Sequence, residues 1–325
     1  MGCNCSSNNH ESCIEVKYPT QTLSHKNDDD YDNEIEKENE ERKKLIEKLS
    51  LQGVFLEKSI KEILDEINPE IKLFNISKEL SERENIIELP LIKMNNGDIY
   101  EGGWNINGEK EGFGIFIYNN KQVYKGFWKE NNFDEYGLLF NNAYNYYIGQ
   151  IENGIAKGKG ELLINNKVKY ISDFDNNLPN GKGEIKYLDE EINYKGDIIN
   201  GNKNGFGILE FKDGTKYEGE FKEDKYNGKG KIIYADGSEY EGNFNNNLKE
   251  GNGVYKWGDG KIYEGEFKNN IKNGKGKLIF NKNEFYEGNW INDLPHGKGI
   301  YSINGKNYIG IFKYGKMIFE KNENL

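Results

Sequence analysis

The sequence predicts an all-β repeat array: an elongated single-layer antiparallel sheet of stacked β-hairpins over residues 90–325, preceded by a helical segment at 34–89 and a polar, disordered tether at 1–33. Three observations predict it. An opening of the form Tyr-x-Gly and a closing Gly-x-Gly recur roughly every 23 residues, with openings at Tyr100, Tyr124, Tyr147, Tyr170, Tyr194, Tyr217, Tyr240, Tyr263, Tyr286 and Tyr308. Inside each unit the side chains alternate with a period of two. Short polar segments and Asp-Gly pairs separate the alternating runs.

The unit opening at Tyr217 shows how one hairpin is read. Tyr217, Gly219 and Phe221 alternate with Glu218, Glu220 and Lys222, which places an aromatic row on one face of a strand. Glu223 to Asn227 is a polar, turn-forming stretch, and Gly230, Ile232 and Tyr234 alternate against Lys229, Lys231 and Ile233 in a second strand. Asp236-Gly237 is then expected to be the tight primed turn into the next unit. Stacking such hairpins gives about 20 strands in an array on the order of 90 Å long. The sheet is expected to begin near Pro90.

Gly219 and Gly230 fall on the aromatic face, so a ring from a neighbouring strand is expected to lie over their bare backbone and pin the register. That role argues against phosphate loops. The GxG and GKG runs all lie inside strand-turn-strand repeats, and none opens a helix after a strand.

These residues resemble the MORN (membrane occupation and recognition nexus) repeat, whose pattern of Tyr-x-Gly-x-Trp/Phe, polar turn, Gly-x-Gly, aromatic and Asp-Gly stands here as YEGGW, YKGFW, YEGEF, YEGNF and YEGNW over roughly residues 90–319. The resemblance implies a β-hairpin array without catalysis of its own that binds partners. Three places depart from the pattern: Glu135-Tyr136-Gly137 replaces Gly-x-Gly, Ser172 replaces a first-strand glycine, and the first unit carries an extra residue around Asn107 to Lys110. Each is expected to be a local bulge or a change in packing.

A formal net charge of −11 removes the counterion-release contribution that binding to a nucleic-acid backbone needs, so nucleic acid is excluded as a partner. The N-terminus, MGCNCSSNNH, carries Gly2 after Met1 and Ser6 at the position required for N-myristoylation, with Cys3 and Cys5 beside them as candidates for S-palmitoylation. All cysteines of the chain (Cys3, Cys5 and Cys13) lie in this leader, which reads as lipidation chemistry in a reducing compartment and not as a disulfide framework. One myristoyl chain binds membrane only weakly, about 10⁴ M⁻¹, and the acids Asp28, Asp29, Asp30, Asp32 and Glu34 offer no polybasic support. Two acyl chains are therefore expected. No apolar run is long enough to be a transmembrane helix, and no secretory h-region follows the start.

Glu34 to Leu49 is rich in strong helix formers. Phe55 to Ile67 places Leu56, Ile60, Ile63, Leu64 and Ile67 at helical spacing before Asn68-Pro69, and a further short helix is expected at Ser77 to Glu84. The amphipathic helix is expected to cap the first repeats, with a partner-binding or membrane-surface role as the alternative.

No catalytic, metal or cofactor constellation is found. The histidines His10, His25 and His296 are scattered, and His296 reads as an exposed turn residue. Two faces remain for binding. Tyr217, Phe221, Tyr240, Phe244, Tyr263, Phe267, Tyr286 and Trp290 form an aromatic row that a one-layer sheet leaves uncovered, and it is expected to be the interaction face, possible homodimerisation included. On the other face Glu218, Glu241, Glu264 and Glu287 are expected to pair with Lys182, Lys229, Lys275 and Lys298. The expected function is a non-enzymatic, acyl-anchored scaffold or adaptor at the cytoplasmic face of a membrane, plasma or cortical, binding protein partners. The alternatives are a phosphoinositide-binding module and a regulatory subunit of a separate enzyme.

Overall fold

The structure, a computed structural model, describes residues 28–56, 59–67, 86–142 and 144–321. The expected acylation sites Gly2, Cys3 and Cys5, most of the tether and the helix expected at Ser77 to Glu84 lie outside the described residues. The chain divides into two units, Met1–Lys44 and Leu45–Leu325.

Helix α1 (Asp28–Ser50) begins earlier than the charged run suggested and crosses that division. Among the described residues of the first unit, i,i+4 pairs such as Lys44 with Glu40 lie along the helix and stabilise it weakly. In its last turns Leu45 and Leu49, one helical turn apart, are buried against Ile87, Ile92, Tyr100 and Trp104. The chain then forms a short strand, β1 (Gly53–Phe55), and a helix, α2 (Ile60–Ile67). The expected helix from Phe55 therefore starts later, for two physical reasons. Ser59 and Glu62 form a reciprocal cap, Ser59 N–H donating to Glu62 Oε2 at 3.0 Å and Glu62 N–H to Ser59 Oγ at 3.4 Å, which fixes the first turn. Gly53, Val54 and Phe55 meanwhile find ladder partners in Met94, Lys93 and Ile92 of β2 (Ile87–Met94).

From β2 onward every strand pairs antiparallel with the next in sequence, so the described residues form a single open antiparallel sheet of 22 strands. It begins at β1, well before Pro90, because the short Gly53–Phe55 segment adds a strand at the N-terminal edge. Glycine pairs with glycine across neighbouring strands: Gly207 with Gly219, Gly219 with Gly230, Gly230 with Gly242, and so on to Gly299 with Gly310. The same rung runs back to Gly102 and is interrupted at Ser172, which pairs with both Gly160 and Gly183 and donates from Oγ to the Asp173 carbonyl at 2.9 Å.

The turns are placed the other way round from the sequence expectation. The tight turn within a hairpin is Glu223-Asp224, where both residues have positive φ (49° and 65°), as a type I′ turn requires. Asn246-Asn247, Asn269-Asn270 and Asn292-Asp293 repeat it. Asp236-Gly237 lies in a longer connection in which Tyr234 N–H bonds the Ser238 carbonyl, Asp236 Oδ1 accepts from Ser238 N–H, and only Gly237 has positive φ. The reason is that an Asp or Asn side chain supports a left-handed residue by local hydrogen bonding, so Gly is not needed where two such residues follow each other. The extra residue of the first unit is absorbed in a similar longer connection, closed by the Asn105 N–H to Glu109 carbonyl bond, and Glu135 adopts the positive φ (58°) that glycine supplies in other repeats.

Candidate interaction surface

The aromatic row is the core of the array. Tyr217, Tyr240 and Tyr263 have no exposed surface, and Phe221, Phe244, Phe267, Tyr286 and Trp290 are also buried. The expectation that this row is an open interaction face is corrected by this burial. The question is how a one-layer sheet hides its rings.

The opening tyrosines Tyr194, Tyr217, Tyr240, Tyr263 and Tyr286 each sit in a box. The ring lies over the glycine two residues on in its own strand and over that glycine's partner in the next strand, so Gly230 is covered by a ring from a neighbouring strand, as expected, and Gly219 by a ring from its own. A Cβ on Gly219 would stand 2.5 Å from Gly230 Cα and 2.6 Å from the Tyr217 hydroxyl oxygen. The hydroxyl donates to the carbonyl three residues along: Tyr217 to Glu220 at 2.9 Å, Tyr240 to Asn243 at 3.0 Å, Tyr263 to Glu266 at 3.1 Å. That carbonyl lies at a register shift between Gly219 and Phe221, so the phenol satisfies a group the irregular ladder leaves over. The edges of two rings close the sides, one from the same strand and one from the next repeat: Tyr217 meets Phe221 at 5.0 Å and Phe244 at 5.3 Å, both near-perpendicular. Such contacts contribute about 0.5–1.5 kcal/mol each beyond area burial.

The lid comes from the returning strand, from the residue opposite the second aromatic. Tyr226, paired with Phe221, stacks on Tyr217 at 3.7 Å, and Phe133, paired with Trp128, stacks on Tyr124 at 3.7 Å. At the same register position Lys249 places its ammonium 5.3 Å from the Tyr240 ring and Lys272 places its own 5.7 Å from Tyr263. Lys110 and Lys203 do the same over Tyr100 and Tyr194, while Pro179 and Pro295 occupy the position in other repeats. Sequence reasoning missed this position. Its chemistry varies between aromatic, lysine and proline, and only the strict repeat spacing could have revealed it. Burial pushes the Tyr240 and Tyr286 hydroxyls up to about 12 and lowers the pKa of Lys110 and Lys249.

The opposite face is the open one. Around its N-terminal strands it is apolar, and α2 covers it there: Ile63 is buried with Leu91, Ile117, Val123 and Leu138, and Leu56, Ile60 and Leu64 pack beside them. The helix thus packs on the first repeats, as its expected capping role requires. Further along, the same face is charged, and its register differs from the expectation. Glu218 and Glu241 stand opposite Lys231, and Glu264 and Glu287 opposite Lys277, with Lys277 2.9 Å from Glu287. Lys182, Lys229, Lys275 and Lys298 stand one pair further along, opposite Asp197, Asn243, Asn289 and Ile311. The expected pairing fails because the glycine rung fixes the register and puts each Gly-Lys-Gly lysine on the far side of the rung from the glutamate. Glu220 and Glu266 serve the backbone instead, accepting from Lys229 N–H at 3.1 Å and Lys275 N–H at 2.8 Å, where the bulge leaves those donors without a ladder partner. Among the described residues Lys275 and Lys298 form no ion pair, and both line an open groove of about 710 Å³ floored by Gly265, Gly276, Gly288 and Gly299. His296 is half-buried against Tyr314, with no hydrogen-bond partner for Nδ1 among the described residues, and so is not the exposed turn residue expected. No group of three or more metal-ligating side chains occurs among the described residues.

Comparison with known proteins follows the same repeats. The family model described as MORN repeat matches residues 100–123, 147–167, 170–189, 194–216, 217–239, 240–262, 263–284 and 286–306. It passes over the unit opening at Tyr124, the one with Glu135-Tyr136-Gly137. No curated protein matches the chain. Among solved structures, the wild-type TCP10 domain of CPAP from Danio rerio is similar at 13% identity over 71% of this chain and 98% of that chain, with a TM-score of 0.35. The TCP domain of SAS-4 from Drosophila melanogaster, solved with a proline-rich motif of Ana2, is similar at 12% identity over 74% and 98%, with a TM-score of 0.24. Both lie below the level at which a shared fold follows.

Proposed function

The chain belongs to the MORN-repeat family, and from that premise we propose that it is a non-enzymatic scaffold held at the cytoplasmic face of a plasma or cortical membrane by acyl chains on Gly2 and on Cys3 or Cys5. Its repeats bind a protein partner along the open face, over the glycine-floored groove. The observation that carries the partner site is the placement of Lys275 and Lys298 in that groove without ion pairs among the described residues, while the aromatic residues are buried. Such a surface fits an extended acidic segment, recognised by charge along a sheet face of small relief.

Flotation with vesicles tests the anchor. The full chain, coexpressed with an N-myristoyltransferase, is expected to float, and the Gly2→Ala chain to stay soluble. Gly2→Ala protein that still floats with anionic vesicles at physiological salt would replace this reading with the lipid-binding module. Proximity labelling from the C-terminus tests the partner site. Lys275→Glu with Lys298→Glu is expected to remove labelling of acidic partners without unfolding the chain, and unchanged labelling would reject the groove.

A further inference from the structure

The four lysine lids are not equivalent. In each, the lysine N–H donates to the side-chain oxygen of the second turn residue of the following hairpin: Lys110 to Asn131 at 2.9 Å, Lys203 to Asp224 at 2.9 Å, Lys249 to Asn270 at 2.8 Å and Lys272 to Asp293 at 2.8 Å. Where that residue is aspartate, the same carboxylate also faces the lysine ammonium, at 3.0 Å from Lys203 and 3.6 Å from Lys272. Burial works against the Lys203 cation, but the Tyr187 hydroxyl and Asp224 outweigh it and raise its pKa. Where the turn residue is asparagine, that counter-ion is missing. Lys110 and Lys249 make no ion pair among the described residues, and burial lowers the pKa of both.

Beside Lys110 an open pocket of about 310 Å³ is lined by Phe116, Tyr118, Trp128 and Phe133. The ammonium lies 5.0 Å from the Phe116 ring centre and 5.2 Å from that of Trp128. Asp98 is the acid whose field reaches it, but that carboxylate is engaged elsewhere, accepting from Asn119 N–H at 2.8 Å and Asn96 Nδ2 at 2.6 Å. The site therefore combines a partly desolvated cation, aromatic walls and a space at the small end of ligand pockets. Two other copies of the same motif show which group completes it: a carboxylate, set against the ammonium from the turn side.

We propose that the Lys110 pocket binds a small organic carboxylate carried on an aromatic or compact apolar body, the carboxylate meeting the ammonium from the pocket side and supplying the charge that Asp224 and Asp293 supply to Lys203 and Lys272, while Asn131 keeps its bond to the Lys110 N–H. A desolvated ammonium makes a stronger charge-assisted bond than one in water, and the walls bury the ring of the acid.

Calorimetric titration of the full chain with phenylacetate tests this, with phenylacetamide as the neutral isostere. Phenylacetate is expected to bind saturably and the amide at least about tenfold more weakly, since a charge-assisted bond is lost. Asn131→Asp installs the internal counter-ion while keeping the turn, because Asp224 and Asp293 hold the same position at the same φ of 65°. It is expected to weaken phenylacetate binding by at least about tenfold. Lys110→Met, which keeps an apolar lid as Met317 does opposite Phe312, is expected to do the same. Asn270→Asp, the matching change beside Lys249, is expected to leave binding unchanged. The absence of saturable phenylacetate binding, equal binding of the amide, or full binding by folded Asn131→Asp protein would each overturn the assignment.

Discussion

The tyrosine box makes the glycine rung the least tolerant position in each repeat. Gly219→Val introduces a branched side chain where a Cβ alone would meet backbone at 2.5 Å and the Tyr217 hydroxyl at 2.6 Å, and backbone cannot swing aside as a flexible side chain can. The expected cost is about 3 kcal/mol, the upper end for overpacking, against about 0.5 kcal/mol or less for Glu218→Ala on the open face. Urea melts of the two variants check the difference. The boxed phenols also set an alkaline limit. Burial raises the Tyr240 and Tyr286 pKa to about 12, above the unfolded value of about 10, so the folded state favours the protonated form. Their contribution is fully present below the unfolded pKa and is lost as pH rises through the folded one. Circular dichroism and the last part of the tyrosinate absorbance rise are expected to change together as pH passes about 12, and tyrosinate absorbance that is complete for all tyrosines before the fold is lost would contradict the boxed geometry.

At the scale of one hairpin, the turn both closes its own strands and grips the strand before it. Asn270 has φ of 71°, its N–H bonds the Lys249 carbonyl at 3.1 Å, and its Oδ1 accepts from Lys249 N–H at 2.8 Å. Asn270→Ala loses the side-chain acceptor and strains a left-handed backbone, for an expected loss of about 1–3 kcal/mol. Asn270→Gly keeps the backbone freely accessible and loses only the acceptor, so its cost is expected to be smaller, about 1 kcal/mol. Thermal melts that rank the glycine variant below the alanine one would show that φ is not what asparagine supplies here. This dual role also explains why the repeats are rich in asparagine at these turns and not in Asp-Gly.

At the scale of the whole molecule, each strand of the array packs mainly on the strands before and after it, and the first repeats are finished by a different device. The end of α1 lies on the aromatic face, β1 extends the sheet edge and α2 covers the opposite face. On the proposed reading, the open face from there on serves the partner and the N-terminus serves membrane residence. On one-chain arithmetic, Cys3→Ser with Cys5→Ser leaves a single myristoyl chain and is expected to give weak, rapidly exchanging vesicle binding, about 10⁴ M⁻¹. Flotation that matches the unaltered chain would show that the cysteines carry no second anchor.

The sequence by itself determined the hairpin repeat, the strand faces and the glycines' place on the aromatic face, because a period of two inside a period near 23 admits one alternation of sides. It also marked α2 as amphipathic. Only the tertiary structure decided that the aromatic row is closed. Tyr226 over Tyr217, or Lys249 over Tyr240, is a contact between strands whose partners depend on a register shift beside the glycine pair, and no single strand's pattern contains that shift. The pairing of glycine with glycine set Lys229 and Lys275 on the far side of the rung from the glutamates they were expected to pair with, and left Lys275 in the open groove. The difference between Asn131 and Asp224 is a single atom type in the sequence. It becomes a missing counter-ion only when the fold sets Lys110 and Lys203 against those turns in aromatic surroundings where a lone charge is costly.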